Sequence, residues 1–264
     1  GIEYIHRRTE KTDIYFISNQ HDQAKIVEAT FRIEARLPEL WDPENGKNEV
    51  APEFKTSSDG RMVVKLRLEQ SDSIFVVFRR PIKDETGVVS VKKDNKPTSV
   101  ILSRYKNQFF LRSNHGGDFY VKFTNKDSKT IRIPVVPKPI VLTGPWQVSF
   151  PVGWGAPEQI KLSRLISWSE HSNPGVKYFS GTATYFTQID IPSEILLEKY
   201  RNVLDLGNVQ VIAEVLINGK SLGILWKKPF MVDVTSHLRH GVNNLKIRVA
   251  NLWINRLIGD KQYF

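Results

Sequence analysis

Apolar and polar residues alternate with a period of two along much of this chain. The segments Ala29-Thr30-Phe31-Arg32-Ile33-Glu34-Ala35 and Val64-Lys65-Leu66-Arg67-Leu68 each place their apolar residues on one face of an extended strand. Asp13-Ile14-Tyr15-Phe16-Ile17 is a short run of β-formers, and 73–78 is almost continuously apolar. Asn45-Gly46, Asp59-Gly60 and Thr86-Gly87 separate these runs as turns, and Asp59-Gly60 predicts a hairpin. Runs at 98–105, 108–112, 118–124 and 129–136 keep the same spacing. The pattern resumes at 146–150, 181–191, 202–206, 213–217, 231–234 and 244–250, with a hairpin turn at Asn218-Gly219. Val232, Val234, Leu245, Ile247 and Val249 are expected to form the inward face of one sheet. Helical signals are sparse. Residues 192–199 read either as a short helix capped by Ser193 or as an ordered loop. Thr235-Ser236-His237-Leu238 reads as one helical turn.

Such regularly spaced short strands predict an all-β chain built from β-sandwiches. Pro134-Val135-Val136-Pro137-Lys138-Pro139 interrupts them. Proline cannot donate to a strand ladder and stiffens linkers, so a junction is expected near 137–141. This gives two β-sandwich domains, 1–138 and 139–264.

Composition narrows the function classes. Of the 264 residues, 40% are hydrophobic and 25% charged, enough to bury a real core. No window of eighteen apolar residues exists, so no transmembrane helix and no membrane partner are expected. There is no cysteine, which excludes disulfides and thiolate metal sites. The net charge of +10 is spread, with 25 basic against 19 acidic residues over 1–138 and 13 against 9 over 139–264. A nucleic-acid footprint would be a basic patch or stripe. Arg7-Arg8, Arg79-Arg80, Lys92-Lys93 and Lys227-Lys228 are isolated doublets, so nucleic acid is not an expected partner. The chain opens Gly1-Ile2-Glu3 inside a strand-like pattern, without methionine or a signal peptide. That start is expected of a piece excised from a longer protein, with Gly1 a tag remnant.

Several motifs of the second half follow one another in order. They include Gly144-Pro145-Trp146, Trp168-Ser169-Glu170 and Pro174-Gly175-Val176-Lys177-Tyr178-Phe179-Ser180-Gly181-Thr182. After these come Val215-Leu216-Ile217-Asn218-Gly219-Lys220, Trp226-Lys227-Lys228-Pro229-Phe230 and Trp253-Ile254-Asn255-Arg256-Leu257-Ile258-Gly259-Asp260. The series resembles the galactose-binding-like jelly roll of family 2 glycoside hydrolases, in the version found in α-L-rhamnosidase-type enzymes of family 106. In the first half, Asp13-Ile14-Tyr15-Phe16-Ile17-Ser18-Asn19 and Pro38-Glu39-Leu40-Trp41-Asp42-Pro43-Glu44-Asn45-Gly46 are similar to the β-domain that follows the catalytic barrel in that group.

The resemblance implies a non-catalytic, carbohydrate-binding portion of a larger glycoside hydrolase. Its partners would be carbohydrate and the catalytic barrel of the same polypeptide, and its setting the bacterial periplasm or exterior. The paired carboxylates of glycoside hydrolysis belong to that barrel, and no alternation of strands and long helices occurs here. No catalytic residue is therefore assigned. Among the acids only Glu170 and Asp260 stand out, and no pairing between them is established.

Flat aromatic rings suit the apolar face of a pyranose. Trp154, Trp168, Tyr178, Trp226 and Trp253 are the candidates, set against the core role of most tryptophans in small sandwiches. Trp146 is assigned to the core. Trp154 lies in a glycine- and proline-rich loop, and Trp41 either covers a hairpin or packs on an absent neighbour. Asn255, Arg256 and Asp260 follow a strand end. They either bind sugar hydroxyls as a polar fork or form a structural ion pair.

No cofactor is expected. Structural calcium held by loop oxygens is the one ion considered, and no dense acidic loop is present for it. His6, His21, His115, His171, His237 and His240 show no ligand spacing. Asn114-His115-Gly116-Gly117-Asp118 lacks the lysine and helix of a phosphate loop and is expected to be a hairpin tip. The rival readings are an autonomous carbohydrate-binding module and a structural interdomain scaffold without a ligand.

Overall fold

The computed structural model describes residues 1–98, 100–106 and 108–263. Ser99, inside the run 98–105 expected as a strand, lies outside the described residues. The chain divides into two compact units, Gly1–Pro137 and Lys138–Phe264. Both are built almost wholly of antiparallel strands, as the period-two pattern predicts.

The first unit begins with β1 (Ile2–Arg8), β2 (Asp13–Asn19), β3 (Lys25–Glu34), β4 (Arg36–Trp41), β5 (Asn48–Val50), β6 (Phe54–Thr56), β7 (Arg61–Leu68) and β8 (Ser73–Pro81). They form a five-stranded sheet ordered β1-β2-β8-β4-β5 and a three-stranded sheet ordered β3-β7-β6. Tyr15, Ile17, Val76 and Phe78 of the first sheet share one core with Phe31, Met62, Val64 and Leu66 of the second. Asp59-Gly60 makes the expected hairpin, with Phe54 opposite Val64. The run 29–35 stops one residue early, because Ala35 turns to φ 50°.

Two carboxylates are buried in this unit, and each is matched by cations. Asp13 accepts hydrogen bonds from His6 Nε2 at 2.9 Å and Arg36 Nη1 at 3.0 Å. Glu39 accepts from Arg79 Nε at 3.0 Å, Arg80 Nε at 2.8 Å and Trp41 Nε1 at 3.1 Å. The Arg79 guanidinium also lies 5.1 Å from the Trp41 ring centre. Trp41 therefore joins the Glu39 ion cluster through its indole N–H and the Arg79 guanidinium over its ring.

The remainder of the first unit holds β9 (Val88–Lys93), β10 (Lys96–Pro97), β11 (Ile101–Tyr105), β12 (Gln108–Arg112), β13 (Gly117–Phe123) and β14 (Ser128–Ile133). A four-stranded sheet β10-β9-β13-β14 and the pair β11-β12 enclose a second core around Val88, Val91, Phe119 and Val121. The stretch Asn114–Asp118 is not a hairpin tip. β12 pairs with β11, whereas β13 pairs with β9 and β14. The glycines instead carry the chain from one sheet to another.

The second unit contains β15 (Trp146–Ser149), β16 (Gln159–Leu162), α1 (Pro174–Lys177), β17 (Thr182–Ile191), β18 (Val203–Asp205), β19 (Ile212–Ile217), β20 (Lys220–Leu225), β21 (Met231–Asp233), β22 (Gly241–Ala250) and α2 (Ile254–Asp260). Six strands form one sheet in the order β16-β15-β17-β22-β19-β20, and β18 pairs with β21 alone. Val148, Ala183, Tyr185, Val215, Leu245 and Ile247 fill the core on one side of the large sheet, with Trp168, Phe179 and Val234 packed against them. Val232 and Val234 do not share a sheet with Leu245, Ile247 and Val249. Because β21 pairs with β18 rather than β22, the two sets face one core from two sheets.

Asn218 and Gly219 take φ 51° and 84°, the double positive φ of a two-residue hairpin. The Asn218 side chain also donates to the buried Asn243 Oδ1 at 2.8 Å. Residues 193–196 form a 3-10 segment preceded by Pro192, without a side-chain cap, so Ser193 does not cap a helix.

Trp168, one of the aromatic candidates, is a core residue. It is buried, and its Nε1 donates to the Tyr185 hydroxyl. Burial raises the Tyr185 pKa above its usual value of 10, with the Trp168 bond acting in the opposite sense.

Two predictions follow from these cores. Phe78, fully buried and packed 5.1 Å from the Phe31 ring, should cost about 3–5 kcal/mol when replaced by alanine, read by denaturant unfolding. Tyr185 favours its neutral form in the folded state. Its contribution is complete below the unfolded pKa near 10 and is lost as pH rises through the higher folded value. The melting temperature should fall above about pH 10, and less steeply in Tyr185→Phe.

Candidate functional site

Strand register gathers the aromatic and polar candidates at one end of the six-stranded sheet. Ser149 faces Gln159 and Thr184, Thr182 faces Ala250, Ile212 also faces Ala250, and Ala213 faces Leu225. The loop after β15, the segment before β17, the tail after β22 and the residues after β20 therefore all emerge at this end. They carry, respectively, Trp154, Tyr178, the group Trp253, Asn255, Arg256 and Asp260, and Trp226.

Trp154 is half exposed and leans on the segment before β17. Gly181 has φ 145°, and a Cβ there would stand 3.1 Å from Trp154 Cζ3 and 3.0 Å from Phe179 Cζ, so a side chain would be strained and would press on the indole. The same segment receives the tail. Gly181 N donates to Asn251 Oδ1 at 2.9 Å, and Asn251 Nδ2 donates to the Phe179 carbonyl at 2.9 Å. The Ser180 hydroxyl donates to the Leu252 carbonyl at 3.1 Å and accepts from Arg256 N at 3.0 Å.

Those bonds explain why α2 forms. Trp253 stands at its cap position and offers no side-chain cap. One of the orphan N–H groups of its first turn is satisfied instead by Ser180, from far back in the sequence. Sequence reasoning missed this helix and placed Asn255, Arg256 and Asp260 merely beyond a strand end. On the far side, Gly259 is buried against Tyr178, where a Cβ would stand 2.7 Å from Tyr178 Cβ. The Tyr178 hydroxyl donates to Gln262 Oε1 at 2.6 Å.

Arg256 Nε and Asp260 Oδ1 are 2.9 Å apart, one helical turn removed, and both are about half exposed. A surface pair of this kind contributes little to stability, about 1 kcal/mol or less. Arg256 Nη1 also lies 3.4 Å from the position of a Cβ on Gly155. The guanidinium thus sits beside the loop that carries Trp154. Around it, α2 leaves a broad apolar face open: Trp253 is 68% exposed and Leu257 61%, with Leu252, Ile254 and Ile258 similarly uncovered. Asn255 is half buried on the same helix.

Glu170 lies exposed at the end of the 3-10 turn Trp168–Glu170, and Asp260 is engaged by Arg256. Trp226 is exposed where the chain leaves the edge strand β20. Among the described residues no group of three His, Asp or Glu side chains could hold a metal ion. No helix of the described residues is long and apolar enough to cross a membrane.

Comparison with known proteins agrees with the motifs. Residues 1–55 match the family model of alpha-L-rhamnosidase, glycoside hydrolase family 106. A Formosa agariphila protein, provisionally named a beta-glucuronidase, is 36% identical over 193 residues, covering 73% of this chain. The structure of a rhamnosidase from Novosphingobium sp. PP1Y covers 98% of the chain at 35% identity with a TM-score of 0.69. A Ruminococcus gnavus beta-glucuronidase structure covers 42% at 20% identity, with a TM-score of only 0.35. The chain spans 16% of the Formosa protein and 20% of the Novosphingobium one. The family-model match, the Formosa protein and the Novosphingobium structure together show a relationship to rhamnosidase- and glucuronidase-type glycoside hydrolases.

The anchoring of α2 gives a direct prediction. Gly259→Ala forces the helix off Tyr178, an overpacking cost of roughly 1–3 kcal/mol. Trypsin should then cut after Arg256 or Lys261 several-fold faster than in the unaltered chain, while the thermal transition of the sheet moves little.

Proposed function

We propose that this chain is the non-catalytic accessory and carbohydrate-binding portion of a larger, α-L-rhamnosidase-like glycoside hydrolase. In this reading 1–138 is a β-sandwich accessory domain, and 139–264 is a galactose-binding-like jelly roll. The hydrolytic step, cleavage of a glycosidic bond in a polysaccharide, belongs to a catalytic barrel elsewhere in the polypeptide. The setting is the bacterial periplasm or exterior, where polymeric substrates are met.

One observation carries the reading. Four separate segments reach one end of the second unit, three of them with the exposed rings Trp154, Trp226 and Trp253, and the tail adds a polar fork beside an uncovered apolar helix face. Scattered apolar surface residues are ordinary, but a contiguous patch rimmed by polar groups marks an interaction site. The apolar face of α2, with Trp253, Ile254, Leu257 and Ile258, suits contact with the barrel. At the rim, Arg256 offers several N–H donors and Asp260 a carboxylate acceptor. Such a fork would hold sugar hydroxyls at the edge of a substrate pocket, while Trp154 and Trp226 offer flat faces for the ring. Tyr178 acts through the helix it supports.

An autonomous binding module is the second reading, favoured by the half-exposed Trp154, whose ring is already fixed against Gly181. An interdomain scaffold with no ligand is the third.

The test of the first reading is an assay of the isolated chain on aryl α-L-rhamnosides and aryl β-glucuronides. No turnover above buffer is expected. Turnover that disappears in Glu170→Gln would overturn the non-catalytic assignment.

A further inference from the structure

The large sheet of the second unit has a second face, turned away from the core, which the loop-end candidates do not touch. Near its β16 edge lies an open groove of about 680 Å³, lined by Gln147, Gln159, Lys161, Phe186 and Gln188 among others. These residues alternate along their strands with the core residues Val148, Leu162 and Tyr185, so their side chains project outward. Register sets them side by side. Gln147 on β15 is directly opposite Phe186 on β17 and Lys161 on β16, and Phe186 is in turn opposite Lys246 on β22.

The chemistry of this groove is specific. Phe186 is half-buried and gives a rigid apolar floor. Gln147 Nε2 donates to Gln159 Oε1 at 3.0 Å, which fixes both amides and leaves the Gln159 amide hydrogens and Gln147 Oε1 for another partner. Gln188 is oriented likewise by its bond to Asn244 Oδ1 at 3.1 Å. Donors and acceptors thus flank an aromatic face, which is what a sugar ring with apolar C–H edges and hydroxyl rims requires. Lys161 is the one charged side chain in the lining, no carboxylate is among it, and Lys246 stands next to Phe186. The buried Trp146 also borders the groove, and its Nε1 has no hydrogen-bond partner. Its Cδ1 edge faces Gly144, another lining residue, 3.0 Å from where a Cβ there would stand.

We propose that this sheet-face groove is a binding cleft for an acidic, uronate-bearing oligosaccharide, separate from the loop end of the same unit. The ring stacks on Phe186, the glutamine amides bond its hydroxyls, and Lys161 and Lys246 meet its carboxylates. The inference rests on the carbohydrate-binding reading above but adds a site and a ligand charge to it.

Affinity electrophoresis of the chain in gels containing polygalacturonate or a neutral galactan tests it. The unaltered chain should be retarded by polygalacturonate and not by galactan, less so at high salt because exposed charges are screened. Phe186→Ala and Lys161→Gln should each weaken retardation at least tenfold, with thermal melts confirming that they fold. Lys129→Gln, the same charge change on an exposed strand of the first unit, should leave it unchanged. Retardation that survives both groove variants and disappears in Trp253→Ala would overturn the groove while leaving sugar binding at the loop end. Retardation only by the neutral polymer, or none by either, would overturn the acidic cleft and leave the accessory role to its own assay.

Discussion

The antiparallel ladder between β17 and β22 is the constraint on which the second unit depends. Ten residue pairs run in unbroken register from Thr182 opposite Ala250 to Ile191 opposite Gly241. Because side chains alternate across a strand, that register decides every face at once. It sends Ala183, Tyr185, Leu245 and Ile247 into the core and Phe186 and Lys246 outward. It also brings Gly181 next to Asn251, so the tail must leave the sheet across Ser180. The Ser180 hydroxyl, Asn251 amide and Gly259–Tyr178 contact then build α2 where the loops meet. A slip of one residue would expose the core and dismantle both the loop end and the groove.

Charge is used in a matching way. The deeply buried carboxylates, Asp13 and Glu39, are each held by arginine, as burial of a charge demands. On the surface, Asp118 pairs with Arg132, Glu214 with Arg248 and Asp260 with Arg256. The Asp118 and Glu214 carboxyls are held below their ordinary pKa, Asp118 by the Arg132 hydrogen bond and Glu214 by those from Ser221 and Arg248. Asp118 and Glu214, so committed, serve as struts.

Much of the architecture could be read from the chain because its signals are local. Period-two alternation marks β7 and β22, and Asn218-Gly219 marks the β19–β20 hairpin through a backbone requirement of two adjacent residues. What escaped reading depends on partners far away. The α2 helix carries no cap of its own and a glycine within it, and its first turn is completed by Ser180. Trp168 sits in serine-rich, loop-like sequence, yet Tyr185 draws it inward, whereas Trp154, in a glycine- and proline-rich loop, is half exposed as that composition suggests. Pairing of β21 with β18, and separation of β12 from β13, are choices of sheet that no local pattern encodes. By contrast α1 was legible and overlooked: Asn173 caps Gly175 N and Val176 N, and Pro174 follows at the first helical position. The groove escaped because Gln147, Phe186 and Lys161 come from three strands and meet only in the register.

The central claim is that the loop end of the second unit, led by α2, is an interface with the rest of a longer hydrolase. Hydrogen exchange of the isolated chain against the same residues within the longer polypeptide measures this directly. The account predicts that amides at 251–260 and around Trp154 exchange at least tenfold more slowly in the longer polypeptide, with the strands of the large sheet unchanged. Equal exchange at 251–260 in both would contradict it.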